Sequence, residues 1–269
     1  NETALKVNEE RLCLPTHRGI VLIDKTRITT RGPTVYRTLS LAVLLMGSTM
    51  LASPTLFFGP EDLPALREQI KSPELAPVWQ GILQQAENRC NPKHREYMDP
   101  EDPFQARTKS EHMAESRHAA LIAHAIGRKL NDCMETAGFA YQITGRKEFG
   151  AHAAAYLYAI ATQFPITNKT VSGGFAGGRG DILRGLALGY DWVGDALTDT
   201  QRQEVAKAAK GHLDFYVAEF DTPKKWWYKV HNYNGVNGGG AGCLAMVLRD
   251  VYPNESKQWV DYSVRIIDR

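Results

Sequence analysis

The stretch AALIAHAIGRKLNDCMETAGFAYQITGRKEFGAHAAAYLYAIATQFP, residues 119–165, decides the fold class of this chain. Its two Ala-rich runs carry apolar residues at the three- and four-residue spacing of a helix face. Thr144-Gly145-Arg146 ends the first run and Pro165 ends the second, because Gly and Pro interrupt helices. A short turn between two helices brings them side by side in opposite directions. The stretch therefore predicts an antiparallel hairpin of helices over 119–143 and 149–164.

The same helical pattern extends on both sides of this hairpin. Gly59-Pro60-Glu61-Asp62 is typical of a helix start, and Thr198 is typical of an N-cap. No alternating strand pattern follows residue 52, so we expect an all-α domain of stacked antiparallel hairpins, as in solenoids and toroids. One further helix is predicted to begin at Ser72-Pro73-Glu74. Four more are predicted over Ile182–Val193, Asp199–Phe220, Gly238–Val251 and Ser256–Ile267. The polar or Gly-rich segments 91–109, 167–180 and 221–234 are expected to converge at one end.

The first 52 residues have a different character. Leu39–Ala52 is apolar, follows basic residues, and is shorter than the roughly 20 residues that span a bilayer. We interpret 37–52 as a signal-peptide-like segment, which predicts a secreted or periplasmic protein without stable membrane insertion. A buried hydrophobic helix is the alternative. Residues 1–36 show no periodicity and are expected to be a non-structural extension, whereas 53–269 form one domain.

Charge and cysteine content exclude several functional classes. Residues 1–52 hold seven basic and four acidic residues, so 53–269 retain 25 basic and 26 acidic ones. No long basic run remains, which argues against nucleic-acid binding. The four Cys match no metal or redox spacing, and His112, His118 and His124 give no i, i+4 pair. We therefore predict neither a metal nor a cofactor, and the sequence gives no oligomeric state.

The segment WWYKVHNYNGVNGGGAG, residues 226–242, has the composition of a carbohydrate site. Large aromatic faces, neutral amides and one imidazole can hold a sugar and move a proton. Helix capping is the alternative for the Asn residues, and core packing is the alternative for each Trp. The run Gly238–Gly240 favours a close helix approach over a phosphate loop, because no Lys-Ser/Thr follows it.

Two arginines can contact an anionic sugar from the polar segments. Arg117 follows one polar segment, with simple surface exposure as its alternative, and Arg179 lies in another, with an ion pair to Asp181 as its alternative. Tyr190-Asp191-Trp192 is interpreted as a packing element rather than an acid. The catalytic candidates are His231 and Asn232, and the substrate-binding candidates are Asn234, Trp226, Trp227, Tyr228, Arg179 and Arg117.

Four segments, taken in order, resemble the heparinase II/III-like polysaccharide lyases. The likeness covers about 53–269, and its most specific part is the His-Asn-aromatic-Asn start of a Gly-rich helix. The segments are SPTLFFGPEDLPALREQI, AYQITGRKEFGAHAAAYL, DILRGLALGYDWVGDALTDTQRQEV and WWYKVHNYNGVNGGGAGCLAMVL. The resemblance implies an incomplete (α/α) toroid with β-sandwich domains downstream. It also implies β-elimination at a uronic acid of an anionic polysaccharide.

The resemblance assigns only part of the catalytic set to this chain. In the family, an Asn or His near this motif neutralises the uronate carboxylate, and a Tyr from a later helix acts as base or acid. Because the helical pattern runs on to Arg269, we expect that Tyr and the sandwich beyond it, and we expect the chain to be a piece cut at both ends. A glycoside hydrolase on an (α/α) barrel, using Asp191 or Asp221, and a non-catalytic glycan-binding solenoid are the alternatives.

Overall fold

A computed structural model of the chain describes residues 11–16, 19–24, 54–103, 115–167, 177–220 and 232–268. The chain forms two compact units, Asn1–Met50 and Leu51–Arg269. In the first unit, β1 (Arg11–Thr16) pairs antiparallel with β2 (Gly19–Asp24). This hairpin lies within the segment expected to be a non-structural extension, and the lack of periodicity did not predict it. The signal-like segment 37–52 lies outside the described residues.

Every regular element that the structure describes between 54 and 268 is helical, which confirms the all-α class for this part of the chain. No described helix is both long and apolar enough to cross a membrane. The α-helices are α1 (Leu63–Gln69), α2 (Ala76–Cys90), α3 (Glu115–Cys133), α4 (Phe139–Thr144), α5 (Lys147–Gln163), α6 (Gly177–Trp192), α7 (Asp199–Phe220), α8 (Asn232–Val247) and α9 (Pro253–Ile267), with a π-helical turn at Met134–Gly138 and a 3-10 turn at Gly194–Ala196.

The hairpin predicted over 119–165 is confirmed, with a π-helical turn inside its first arm. Helix α3 continues through the π turn into α4, and Gly145 ends α4 with a φ of 70°, the left-handed conformation that Gly adopts without strain. At the π turn, the guanidinium of Arg89 and the hydroxyl of Thr136 both donate to Asp132 O, at 2.6 Å each. These donors satisfy the carbonyl where the helix geometry changes.

Two Gly-rich helices begin earlier than the sequence predicted. Helix α6 starts at Gly177 rather than Ile182, and α8 starts at Asn232 rather than Gly238. Each Gly costs about 1 kcal/mol of helix propensity relative to Ala, so propensity alone places these starts too late. Here tertiary packing of the first turns outweighs that cost. The segment 167–180, predicted as a loop, is thus helical from Gly177 onward.

Helices α3, α6 and α8 lie side by side and run in the same direction. Along α3 and α6, a Cβ built on Gly127 would come within 2.5 Å of Asp181 Cβ, and one on Gly185 within 2.7 Å of Leu130. Contacts therefore advance together along both helices, which makes them parallel. The same distances show that the two backbones approach closely, because a residue with a Cβ would not fit at either glycine.

The pairing of α6 with α8 has the same direction. A Cβ built on Gly180 would come within 2.7 Å of Val236 O, and one on Gly240 within 3.3 Å of Leu183 Cβ. The later residue of one helix again meets the later residue of the other. We call α3, α6 and α8 the first layer.

Helices α5, α7 and α9 form a second layer of parallel helices. Tyr158 of α5 donates a hydrogen bond to Glu204 of α7, and further along both helices Phe164 O, just after α5, lies 3.3 Å from His212 Nε2. Lys210 of α7 lies 3.8 Å from Glu255 of α9, and further along both helices the indole of Trp259 donates to Asp214 Oδ1 at 3.2 Å. The two layers run in opposite directions, because a Cβ on Gly238 would lie 3.0 Å from Ile267 and one on Gly242 3.5 Å from Ser263. One hydrophobic core joins both layers, including the buried residues Leu130, Leu157, Leu186, Leu213, Leu244 and Tyr262.

Thr198 caps α7 as predicted. Its hydroxyl accepts a hydrogen bond from Gln201 N at 3.2 Å, and the Gln201 side chain accepts one from Thr198 N at 3.0 Å. This reciprocal pair is a capping box. The cap fixes the start of α7 directly after the turn that follows α6.

Candidate active site at the N-terminal end of the first layer

The parallel order of the first layer brings the N-terminal ends of three helices to one end of the layer. The first turns of α3, α6 and α8 carry Arg117, Arg179 and Asn232 respectively. Because Gly127 of α3 lies beside Asp181 of α6, the N-terminal end of α3 extends about two turns, at 5.4 Å per turn, past the N-terminal end of α6. Free N–H groups and the helix dipole make such ends favourable for anions. The described backbone thus gathers three of the predicted site residues.

Four of the predicted site residues lie outside the described residues. They are Trp226, Trp227, Tyr228 and His231, which immediately precede α8. Of the three segments expected to converge, 167–180 and 221–234 fall largely outside as well, whereas the described part of 91–109 lies beside the C-terminal half of α3 and not at this end. The helix starts that fall within the second and third of these segments, Gly177 and Asn232, do lie at the same end of the layer.

Asn234 and Asn237 share one face of α8, as their spacing predicted, and both are buried. Among the described residues, Asn237 has no hydrogen-bond partner for either amide atom, although its side chain is 0% exposed. A Cβ built on Gly180 would lie 2.7 Å from Asn237 Oδ1. Asn237 therefore packs against the first turns of α6, and a buried amide without partners is unusual enough to mark this junction.

The Gly run of α8 is a packing device, as the sequence favoured, at two of its three positions. A Cβ on Gly240 would lie 2.6 Å from Gly180 O, and one on Gly238 would lie 3.3 Å from Ser263 O. Gly239 has nothing within 4 Å of such a Cβ. Gly240 therefore brings α8 against α6 next to the candidate site.

A histidine–carboxylate pair that the sequence did not predict bridges α3 and α6. His124 Nδ1 lies 3.1 Å from Asp181 Oδ2, although the two residues are 57 positions apart in the chain. Asp181 lies four residues into α6, close to the end that carries the candidate site. The sequence offered only the possible Asp181–Arg179 ion pair, so no signal within the sequence connects His124 with this end.

Asp191 is not available as a catalytic acid in the described structure. Its carboxylate accepts hydrogen bonds from Thr55 N and Leu56 N, both at 2.9 Å, and from the Thr55 hydroxyl at 3.0 Å. Burial raises the pKa of Asp191, and these donors oppose the rise. The predicted interpretation of Tyr190-Asp191-Trp192 as a packing element agrees with these contacts.

A separate pocket of about 300 Å³ lies between the segment that follows α2 and the C-terminal half of α3. None of the predicted site residues lines it. Its charged lining mixes both signs: Arg89, Arg95, Lys129, Glu96, Asp99 and Asp132 are among the residues. Such a lining gives no net attraction for a polyanion, so this pocket is not the candidate site.

Metal and thiol chemistry have no visible basis in the described part of the chain. No group of three or more His, Cys, Asp or Glu side chains there is arranged to hold a metal ion. Cys90, Cys133 and Cys243 are free thiols.

No protein-family model and no curated protein matches the chain. The candidate site is therefore described from the arrangement of the helices of this chain and not from a related protein.

Proposed function

We propose that this chain is the helical part of a secreted or periplasmic polysaccharide lyase that acts on a uronate-containing, anionic polysaccharide. The observation that carries the proposal is the shared end of α3, α6 and α8. Two cationic residues, Arg117 and Arg179, and the amide residue Asn232 occupy the first turns of three parallel, neighbouring helices. Cations, amides and helix N-termini are the groups that bind carboxylates.

The two-layer arrangement supports an (α/α) toroid. An arc of such a toroid requires helices that are parallel within each layer, with the two layers running in opposite directions. The resemblance to heparinase II/III-like lyases implies the same architecture. The proposal therefore treats the first layer as the inner wall of an incomplete toroid and its N-terminal end as the substrate side.

The proposed chemistry is β-elimination at the uronic acid. The C5 proton is weakly acidic because the neighbouring carboxylate is already negative, so donors on that carboxylate stabilise the enolate-like intermediate. Asn232 donates from its amide, and His231 donates or accepts the proton. Removing one such preorganised donor costs about 10²–10³ in rate. Trp226, Trp227 and Tyr228 form a stacking surface for the sugar, and Arg117, Arg179 and Asn234 bind it.

The proposal is tested with the gene product that contains this chain and a panel of uronate polymers, including heparan-type glycans and alginate. Elimination leaves a conjugated C4=C5 double bond that absorbs in the ultraviolet, whereas hydrolysis yields reducing ends without that absorbance. We expect absorbance to rise with a uronate polymer and not with a neutral glucan. Asn232→Ala should lower kcat/KM about 10²–10³-fold.

Asn88→Ala is the matched control, because Asn88 lies on α2 and its side chain bonds only to exposed side chains in the described structure. It should leave the rate unchanged. Cleavage of a uronate polymer without ultraviolet absorbance would favour the hydrolase, and binding without cleavage would favour the glycan-binding solenoid. Either result would reject the lyase.

A further inference from the structure

The His124–Asp181 pair gives the first layer an oriented imidazole that no predicted role uses. We propose that His124 is a proton-transfer group of the candidate site and that Asp181 is the residue that positions its ring. This inference rests on the proposed lyase function and adds to it a group on α3 and α6.

The pair has the geometry of an oriented acid–base group. Nδ1 of His124 faces Asp181 Oδ2 at 3.1 Å, and the side chains are 28% and 24% exposed. Nε2 of His124 has no hydrogen-bond partner among the described residues and is not buried. One ring nitrogen is therefore held by a carboxylate while the other reaches solvent. A carboxylate on Nδ1 selects the tautomer whose lone pair is on Nε2.

The backbone around the pair holds it rigidly. Gly127 lets α6 approach α3, since a Cβ there would lie 2.5 Å from Asp181 Cβ and 2.8 Å from Ile182 N. The buried amide of Asn131 donates to both Gly127 O and Asp181 O, at 2.8 Å each. Both members thus stand on helices whose spacing is fixed by close contacts, as a proton-transfer group requires.

The other histidines with described side chains do not share these features. The ring of His152 packs against Tyr97 and its Nε2 is buried without a partner, and burial lowers the pKa of His152. Nε2 of His212 lies 3.3 Å from Phe164 O. Nδ1 of His94 accepts a hydrogen bond from the backbone N–H of Glu96 at 3.2 Å and lies 3.9 Å from the Glu96 carboxylate, and His94 belongs to the segment after α2. Among these histidines, His124 is the one whose Nδ1 lies against a carboxylate, whose Nε2 faces solvent and which lies near the shared N-terminal end of the first layer.

The surroundings of His124 suit an anionic substrate. Arg128 lies one turn further along the same face of α3 and is exposed. Arg184 of α6 forms an ion pair with Glu135 in the π turn, which adds a contact between α6 and the segment that continues α3. Along α3, His124 lies between Arg117, about two turns nearer the N-terminal end of the layer, and Arg128.

The proposed step balances without any co-reactant. Nε2 of His124 takes the C5 proton, which leaves His231 the role of donor to the uronate carboxylate, and the C5–H electron pair becomes the C4=C5 double bond. The C4–O4 bonding pair leaves with the glycosidic oxygen, which takes its proton from the imidazolium just formed. The Asp181 carboxylate, 3.1 Å from Nδ1, stabilises that imidazolium, and the pair returns to its starting state once O4 has taken the proton.

The test measures elimination by the intact protein and its His124→Gln, His124→Ala and Asp181→Asn variants on the uronate polymer that the wild type cleaves. We expect His124→Gln to lower kcat about 10²–10⁴-fold, the usual contribution of general acid–base catalysis. Added imidazole should restore part of the activity of His124→Ala. Asp181→Asn should lower kcat more than it changes KM. His94→Gln, the same change outside the site, should be unaffected.

Several results would overturn the inference. A wild type that eliminates while His124→Gln keeps its kcat rejects this role and leaves the lyase proposal standing. A His124→Ala variant that is inactive, folded and not rescued by imidazole shows that the ring is only structural. If His124→Gln fails to fold, Asp181→Asn decides, because a change in thermal stability without a change in kcat also rejects the role. A wild type without elimination on any uronate polymer rejects both proposals.

Discussion

At the scale of single residues, Asp191 shows how an acid in a promising motif can be structural. Its carboxylate binds the backbone of Thr55 and Leu56, which lie near the start of the described part of the helical unit. The flanking Tyr190 and Trp192 are buried, and Trp192 packs 5.4 Å from the ring of Phe58. The motif therefore joins α6 to a segment 135 residues earlier in the chain.

Replacing Asp191 with Asn tests this structural role. An Asn side chain offers one acceptor oxygen, and its NH₂ group would face N–H donors, so at least one buried donor loses its partner. We expect the free energy of unfolding to fall by about 1–3 kcal/mol. Chemical denaturation measures the change. Asp250→Asn, at a residue whose side chain is 91% exposed, is the control and should change stability by less than about 0.5 kcal/mol. Equal effects of the two variants would contradict the role of Asp191.

At the scale of helices, the sequence predicted the existence of elements better than their starts. The Ala-rich arms carry a regular apolar period, so their helices were predicted within a few residues. The Gly-rich starts of α6 and α8 carry no such period. Their helical state depends on contacts such as Gly180 against Val236, which join residues 56 positions apart and leave no local signal. The α1 start was likewise predicted too early, because Gly59 N donates to Asp62 Oδ2 in a turn before the helix.

The adjacent glycines of α8 provide a matched pair of variants for this packing. Gly240→Ala places a methyl group 2.6 Å from Gly180 O and forces α8 away from α6, so we expect a loss of about 1–3 kcal/mol in stability. Gly239→Ala meets nothing within 4 Å and gains helix propensity, so we expect a gain of up to about 1 kcal/mol. Denaturant unfolding compares the two. If both variants gained stability, or if both lost it, the packing role of Gly240 or the propensity effect at Gly239 would be wrong.

At the scale of the whole molecule, the all-α class followed from local pattern, but the order of the layers did not. Helical spacing and short turns predict antiparallel hairpins wherever they occur. They do not predict that α3 and α6 lie side by side, and so they miss the His124–Asp181 pair. Arg117, Arg179 and Asn232 were identified by residue type near polar segments, and the parallel first layer is the reason that they occupy one end. The aromatic candidates and His231 remain predictions.

The reactivity of buried thiols tests the helical unit as one cooperative body. Cys133 is fully buried and burial raises the pKa of its thiol, while burial raises the pKa of Cys90 to about 12. Because the thiolate is the reactive form, we expect neither to react with a thiol reagent at neutral pH unless the protein opens. In a Cys13→Ser background, labelling of Cys133 should appear only with denaturant, along the global unfolding curve. The half-buried Cys243 should react at lower denaturant. Rapid labelling of Cys133 in the native protein would show that the two layers do not unfold together.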